Sequence, residues 1–398
     1  MSGYECQTVT RLYSAETGYG FDRQNIPEKD GYDPVFFSVA VPDGDYRVTV
    51  RLGSASKAGV TTVRGESRRL FVENIPTGKG EFQTFTFMIN KRNTQIYPDG
   101  ERVRIKPREK NKLNWDDKLT FEFNGEAPAV SELLIEKVNN AITVFLCGNS
   151  TVVDQDNEPW ASWGQMIPRF FDTPVSFANY AESGEAANSF IAAGRLKKIL
   201  TQMKAGDYIL VEFGHNDQKQ KGEGRGAYTS FTASLKTFIR EARARGACPV
   251  FVTPTQRRSF DDSERIKDTH EDYPDAMRKL AREENIPLLD LHAMTRTLYE
   301  ALGVENSKKA FVHYPANTWP GQTNALEDNT HFNPYGAYQI AKCVITGLRN
   351  LQQQGFQFDF MQYLRDDFMP YSPSMPDSEN SFRWTPSPFA EMEKPDGN

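Results

Sequence analysis

Cysteine is scarce: Cys6, Cys147, Cys248 and Cys343 are the only four in 398 residues, and no two form a CxxC pair. That density excludes a disulfide scaffold, and no histidine stands beside them at zinc-ligand spacing. Cys147 and Cys248 adjoin the apolar runs ITVFLC and CPVFVT and read as small buried hydrophobes. No stretch approaches the roughly 18–20 uninterrupted apolar residues of a membrane helix. Basic residues do not exceed acidic ones, with 47 Lys and Arg against 53 Asp and Glu and a net charge of −6. Non-specific nucleic-acid binding needs a basic face, so nucleic acid is not an expected partner, and neither is a membrane. The N-terminus, MSGYECQTVT, lacks the charged and apolar segments of a secretory leader, so either the protein is cytosolic or an added start, which MSG resembles, stands in the place of a leader.

What remains is an ordinary globular composition with 12% aromatic residues, a rather high value. At roughly 150 residues per domain, the length predicts two or three domains. Residues 1–139 hold short alternating runs separated by turns such as Pro42-Asp43-Gly44. In DYRVTVRLG (45–53), Tyr46, Val48, Val50 and Leu52 share one face, the period of a half-buried strand. Many such runs without a helical pattern predict an antiparallel β-sandwich.

From residue 140 the pattern changes to continuous apolar runs, as in strands covered on both faces. AITVFLCG, TPVSFANY, DYILVEFG, CPVFVTP and IPLLDL alternate with helix-period segments at 231–246, 274–285 and 334–355. This predicts a three-layer α/β domain with a parallel five-stranded sheet over residues 140–370. Residues 371–398, rich in Ser, Pro, Asp and Glu, read as a tail or wrapping segment.

Ligands of open α/β sheets bind beyond the carboxyl ends of the strands. Gly148-Asn149-Ser150-Thr151 follows the first strand, Glu182-Ser183-Gly184-Glu185 the second, and Gly214-His215-Asn216-Asp217 the third. Asp328-Asn329-Thr330-His331 precedes the last helix. Together these supply a hydroxyl nucleophile, a tight glycine, a side-chain amide and an acid–imidazole pair, the inventory of a serine esterase. Ser150 is the expected nucleophile, with His331 as general base. Asp328, in the same loop or helix turn, would orient the imidazole. The backbone N–H groups of Ser150 and Gly184 and the Asn216 amide form the expected oxyanion hole.

In these four blocks the chain resembles the SGNH (GDSL-like) hydrolase superfamily, position by position at Ser150, Gly184, Asn216 and His331, with Asp328 as the acid of a DxxH motif. GNST stands where GDS(L) gives the family its name. That form, with NYAESGEAANSF, FGHND and DNTHFNPYGA, is similar to the rhamnogalacturonan acetylesterase branch. The resemblance covers about residues 141–350. It implies a flavodoxin-like sheet, no metal or other cofactor, and removal of acetyl groups from a pectic polysaccharide, with an address outside the cytosol, secreted or periplasmic. Residues 1–139 resemble galactose-binding-like or jelly-roll modules found ahead of such domains.

Substrate contacts are expected from His215, Arg257, Arg258, His270, His313 and Trp319. The two arginines suit a galacturonate carboxylate, and Trp319, with Tyr314 and Gln322, suits a sugar ring. Lys219, Lys221 and Arg225 are further basic candidates. Trp160 and Trp163 are expected to pack at a helix start, and His292 to cap or hydrogen-bond. Acetylated xylan or another glycan as substrate, and a carbohydrate-binding protein with an inactive esterase half, stay open. The α/β-hydrolase fold is disfavoured, since no G-x-S-x-G surrounds Ser150.

Overall fold

The computed structural model describes residues 4–5, 12–22 and 34–396; Cys6, the MSG start and the last two residues of the tail lie outside the described residues. The N-terminal unit contains β1 (Tyr4–Glu5), β2 (Tyr19–Phe21), β3 (Val35–Ala40), β4 (Gly44–Leu52), β5 (Gly59–Gly65), β6 (Arg69–Thr77) and β7 (Gln83–Lys91). A short hairpin, β8 (Gln95–Ile96) and β9 (Glu101–Arg102), precedes β10 (Lys118–Asn124) and β11 (Val130–Val138). Two sheets, ordered β1-β11-β4-β7 and β2-β3-β10-β5-β6, face each other with every strand pair antiparallel, a β-sandwich. The alternation in β4 does what its period requires. Tyr46, Val48, Val50 and Leu52 are buried against Phe87, Ile89, Leu119 and Phe121.

The second unit carries β12 (Ile142–Cys147), β13 (Val175–Asn179), β14 (Tyr208–Val211), β15 (Cys248–Val252) and β16 (Leu288–Leu289). They form one parallel sheet in the order β13-β12-β14-β15-β16, the 2-1-3-4-5 order of flavodoxin-like folds. Its helices are α1 (Trp163–Met166), α2 (Ala187–Ala192), α3 (Arg195–Leu200), α4 (Thr232–Arg243), α5 (Tyr273–Glu283), α6 (Leu291–Asn306) and α7 (Pro334–Gln353). Val144, Leu146, Leu210 and Val250 pack on one face, with Ile340 and Val344 of α7. Phe145, Ile209, Val211 and Phe251 pack on the other, with Phe238 of α4 and Leu280 of α5. Burial on both faces is why these strands read as unbroken apolar runs.

Register brings the strand ends to one edge. Leu146 pairs with Asn179 and Cys147 with Val211, so the turns at 148–151, 180–185 and 212–217 leave the sheet side by side. An antiparallel hairpin, β17 (Phe311–Tyr314) and β18 (Leu326–Phe332), lies beside them, tied by the Ala161 N–H donating to the Phe332 carbonyl at 2.8 Å. Asp328 and His331 therefore sit on a strand, where a loop or helix turn was expected.

The two units share a charged, buried boundary. Arg69 Nε lies 3.2 Å from Asp154 and Arg68 lies 2.7 Å from Glu158, all four side chains buried. The segment after residue 370 runs along this seam. Trp384 covers the Arg64 guanidinium at 3.8 Å and donates its indole N–H to Glu158. Farther on, Lys394 comes within 3.5 Å of Asp328. No helix among the described residues is long and apolar enough to cross a membrane.

Candidate active site

Ser150 stands three residues beyond Cys147, the end of β12, in the turn that follows the strand. The Asn149 carboxamide accepts the Thr151 N–H at 3.0 Å, and the Asn149 carbonyl accepts the N–H groups of Val152 and Val153. Gly148 makes the turn possible, because a Cβ there would stand 2.5 Å from the Val152 side chain. The Gln155 amide donates to the Ser150 carbonyl at 3.0 Å and fixes the far side of the turn.

The Ser150 hydroxyl lies 2.8 Å from His331 Nε2, and His331 Nδ1 lies 2.7 Å from Asp328 Oδ2. The carboxylate only accepts, so Nδ1 carries the proton and Nε2 offers its lone pair to the serine. Burial works to raise the Asp328 pKa, but the hydrogen bond and charge of His331 and two backbone N–H donors outweigh it, leaving the group below its ordinary value. The Trp160 indole meets the His331 ring edge-on at 5.8 Å and walls off one side.

Beyond the serine, Gly184 takes φ +76°, open to glycine with little cost. Among the described residues, the backbone N–H groups of Ser150 and Gly184 have no hydrogen-bond acceptor. The Asn216 amide donates one hydrogen to the Glu185 carbonyl at 3.0 Å, and Lys219 donates to its Oδ1 at 3.3 Å. Its second N–H remains available. Asp217 holds this loop by accepting from the N–H groups of Gly214 and Ala187, both at 2.9 Å.

The GDSL-like Lipase/Acylhydrolase family profile matches residues 146–337, a span that contains every one of these residues. Rhamnogalacturonan acetylesterase RhgT of Bacillus subtilis is 46% identical over 212 residues, 53% of this chain and 90% of that one. The chain belongs to the GDSL-like hydrolases. The uncharacterized esterase YxiM of Bacillus subtilis is 27% identical over 325 residues, 80% of this chain and 75% of that one. A crystal structure of YxiM, 24% identical with a TM-score of 0.48, covers 87% of this chain and 93% of that one.

In this GDSL-like hydrolase several residues expected to touch substrate also make contacts within the protein. His215 and His270 are buried; their rings meet each other, with His270 Nε2 2.9 Å from His215 Nδ1. The expected substrate contact by these two histidines therefore stands beside a role in packing the loop after β14 against the loop after β15. Arg258 is partly exposed. Its guanidinium braces the hairpin, donating to Ser307 and Asn329 at 2.9 Å each and to the Val304 carbonyl. Arg257 donates to Thr269 and to the His215 carbonyl, tying the loop after β15 to the loop after β14. His313 Nε2 lies 2.9 Å from Asn329 Oδ1 on the hairpin. Trp319 packs edge-on against Tyr314 at 5.6 Å, and buried Gln322 pins the hairpin loop through three carbonyls. Lys221 and Arg225 are exposed. Trp163 is buried, and Trp160 packs on His331.

Other residues near the site come from the sandwich unit. Lys106 donates to the Ser183 carbonyl at 2.5 Å, and Arg108 lies 2.5 Å from buried Glu182. Burial would raise the Glu182 pKa, yet Lys112, Arg108 and Arg195 hold it down to about 2. A cavity of about 990 Å³ adjoins this contact, lined by Lys106, Arg108, Lys112, Trp160, Lys394 and Asp396 among others. The basic run RVRIKPREKNK (102–112) was the available signal, but nothing local in it points to a loop some 75 positions away.

Proposed function

We propose that this protein is a serine esterase that removes acetyl groups from a plant cell-wall polysaccharide, rhamnogalacturonan first among them. The observation that carries the reading is the continuous hydrogen-bonded chain from Ser150 through His331 to Asp328. Ser150 Oγ attacks the acetyl carbonyl while His331 Nε2 takes its proton, and Asp328 stabilises the imidazolium. The backbone N–H groups of Ser150 and Gly184 and the Asn216 amide receive the oxyanion. His331 returns the proton to the departing sugar hydroxyl, leaving an acetyl-enzyme. Water, activated by the same imidazole, then releases acetate and restores Ser150.

A carbohydrate ester as substrate is supported by the relatives, of which RhgT carries the name rhamnogalacturonan acetylesterase. A polymer of that kind puts the enzyme's work outside the cytosol. The cavity between the sandwich and the site offers Lys106 and Arg108, both partly exposed, where an acidic glycan chain would run. Acetate released from acetylated rhamnogalacturonan, homogalacturonan and xylan, compared side by side, tests the substrate. Rhamnogalacturonan should give the highest rate; a preference for xylan would overturn the substrate and leave the esterase mechanism standing.

A further inference from the structure

Behind the His215–Asn216 loop, three side chains from one loop and the start of one helix converge. Asp268 and His270 stand in the loop between β15 and α5, and His292 lies in the first turn of α6. One carboxylate oxygen and one nitrogen of each ring lie within 4.8 Å of one another. His270 and His292 are buried, and the Asp268 side chain is 44% exposed.

Proton counting shows what the cluster lacks. His292 Nδ1 lies 2.9 Å from the Pro254 carbonyl, which can only accept, so Nδ1 is the protonated nitrogen. Its Nε2 then faces Asp268 Oδ2 at 3.1 Å, an acceptor against an acceptor in the neutral ring. Gln256 presents its amide nitrogen to the same Nε2 at 2.8 Å, which leaves no room for an added Nε2 proton in that orientation. His270 spends Nε2 on His215, and its Nδ1 is buried with no hydrogen-bond partner. A buried ring nitrogen without a partner costs roughly 1–3 kcal/mol unless something binds it.

We propose that Asp268, His270 and His292 form a binding site for a divalent transition-metal ion of the zinc type. Two imidazoles and one carboxylate are a common donor set for such an ion. Ligating histidines usually give their other ring nitrogen to a carbonyl or a second polar group, which fixes the tautomer. Here His292 does so with Pro254 and His270 with His215. The His270 Nδ1, buried and without a hydrogen-bond partner, is the nitrogen open to an ion. The Gln256 N–H at His292 Nε2, 2.8 Å away, and Arg296, 3.8 Å from the same Asp268 oxygen, are the partners that the ion would displace. The exposed Asp268 side is the entry path and leaves a coordination position to water. The ion takes no part in ester cleavage. It clamps the loop after β15 to α6 and, through His270 and His215, holds the loop that carries Asn216.

The test uses the full chain, stripped with a chelator and then given zinc or cobalt(II) alone. One zinc per chain should remain after gel filtration, cobalt should give a visible ligand-field band, and zinc should raise the melting temperature. Asp268→Asn, at an exposed position, and His270→Ala should each lose the band and weaken zinc by more than the ~10–100-fold that loss of an outer-shell partner costs. Ser150→Ala should keep one zinc. Absence of retained zinc and of the cobalt band in the unaltered chain overturns the proposal. So does an Asp268→Asn chain that binds zinc as the parent does, whatever becomes of the folding of His270→Ala.

Discussion

The Thr151 hydroxyl lies 2.6 Å from Glu212 Oε1 and 2.9 Å from Asn149 Oδ1, in the residue next to Ser150. A hydroxyl has one proton. If Thr151 gives it to Asn149, the bond to Glu212 must run the other way, and Glu212 must be a neutral acid. Burial pushes this carboxyl up to about 7, against the pull of hydrogen bonds from the Trp163 indole and the Thr255 backbone. With its pKa near 7, this group at the floor of the nucleophile turn takes up and releases its proton close to neutral pH.

Glutamine can make the same contacts, donating to Thr151 and accepting from the Trp163 indole, which lies 2.7 Å from Glu212 Oε2. Glu212→Gln should therefore keep activity within a few-fold. The folded-state pKa is raised from 4.5 to about 7, so the stability this group contributes is full below 4.5 and is lost as pH rises through 7. The melting temperature of the parent should fall relative to Glu212→Gln across that window, by the equivalent of about 3 kcal/mol. Parallel melting curves from pH 4 to pH 8 would refute the neutral acid.

Asn216→Ala removes one oxyanion donor and leaves the serine–histidine contact intact. We expect kcat to fall by roughly 10²–10³ with little change in KM. Gly184→Ala should do at least as much harm, because its new Cβ would meet Lys106 Nζ and the Asp396 side chain at 2.9 Å each. Steady-state kinetics on a small acetyl ester separates the two constants, and an unchanged kcat for Asn216→Ala would remove the amide from the oxyanion hole.

At the boundary between the units, Arg69 and Asp154 are both fully buried. Arg69→Ala leaves the carboxylate without its partner and should cost about 3–5 kcal/mol, read as a lower melting temperature in calorimetry. Adding Asp154→Asn should recover part of the loss, since the orphaned charge is then gone. A single variant as stable as the parent would show that the pair contributes nothing to holding the units together.

The sequence makes the architecture legible where its cause is local. Period two in 45–53 marks a sandwich strand, and unbroken runs such as ITVFLC mark strands covered on both faces. The strand ends bring Ser150, Gly184 and Asn216 to one edge through register alone. Distant partners are harder to read. Arg64 and Glu122 alternate as outward residues yet are buried, because the tail closes over that face of the sandwich. DNTHF has no strand period of its own; it becomes β18 because FVHY, across a long loop, pairs with it. His270 sits in a polar stretch and is buried because the loop after β14 and the start of α6 bring His215 and His292 to it.

The most direct measurement is acetate release from acetylated rhamnogalacturonan by Ser150→Ala beside the parent chain, with melting curves to show that both are folded. The account predicts that the variant retains the fold and loses acetate release to near the level of buffer. Undiminished release by a folded Ser150→Ala chain would contradict it.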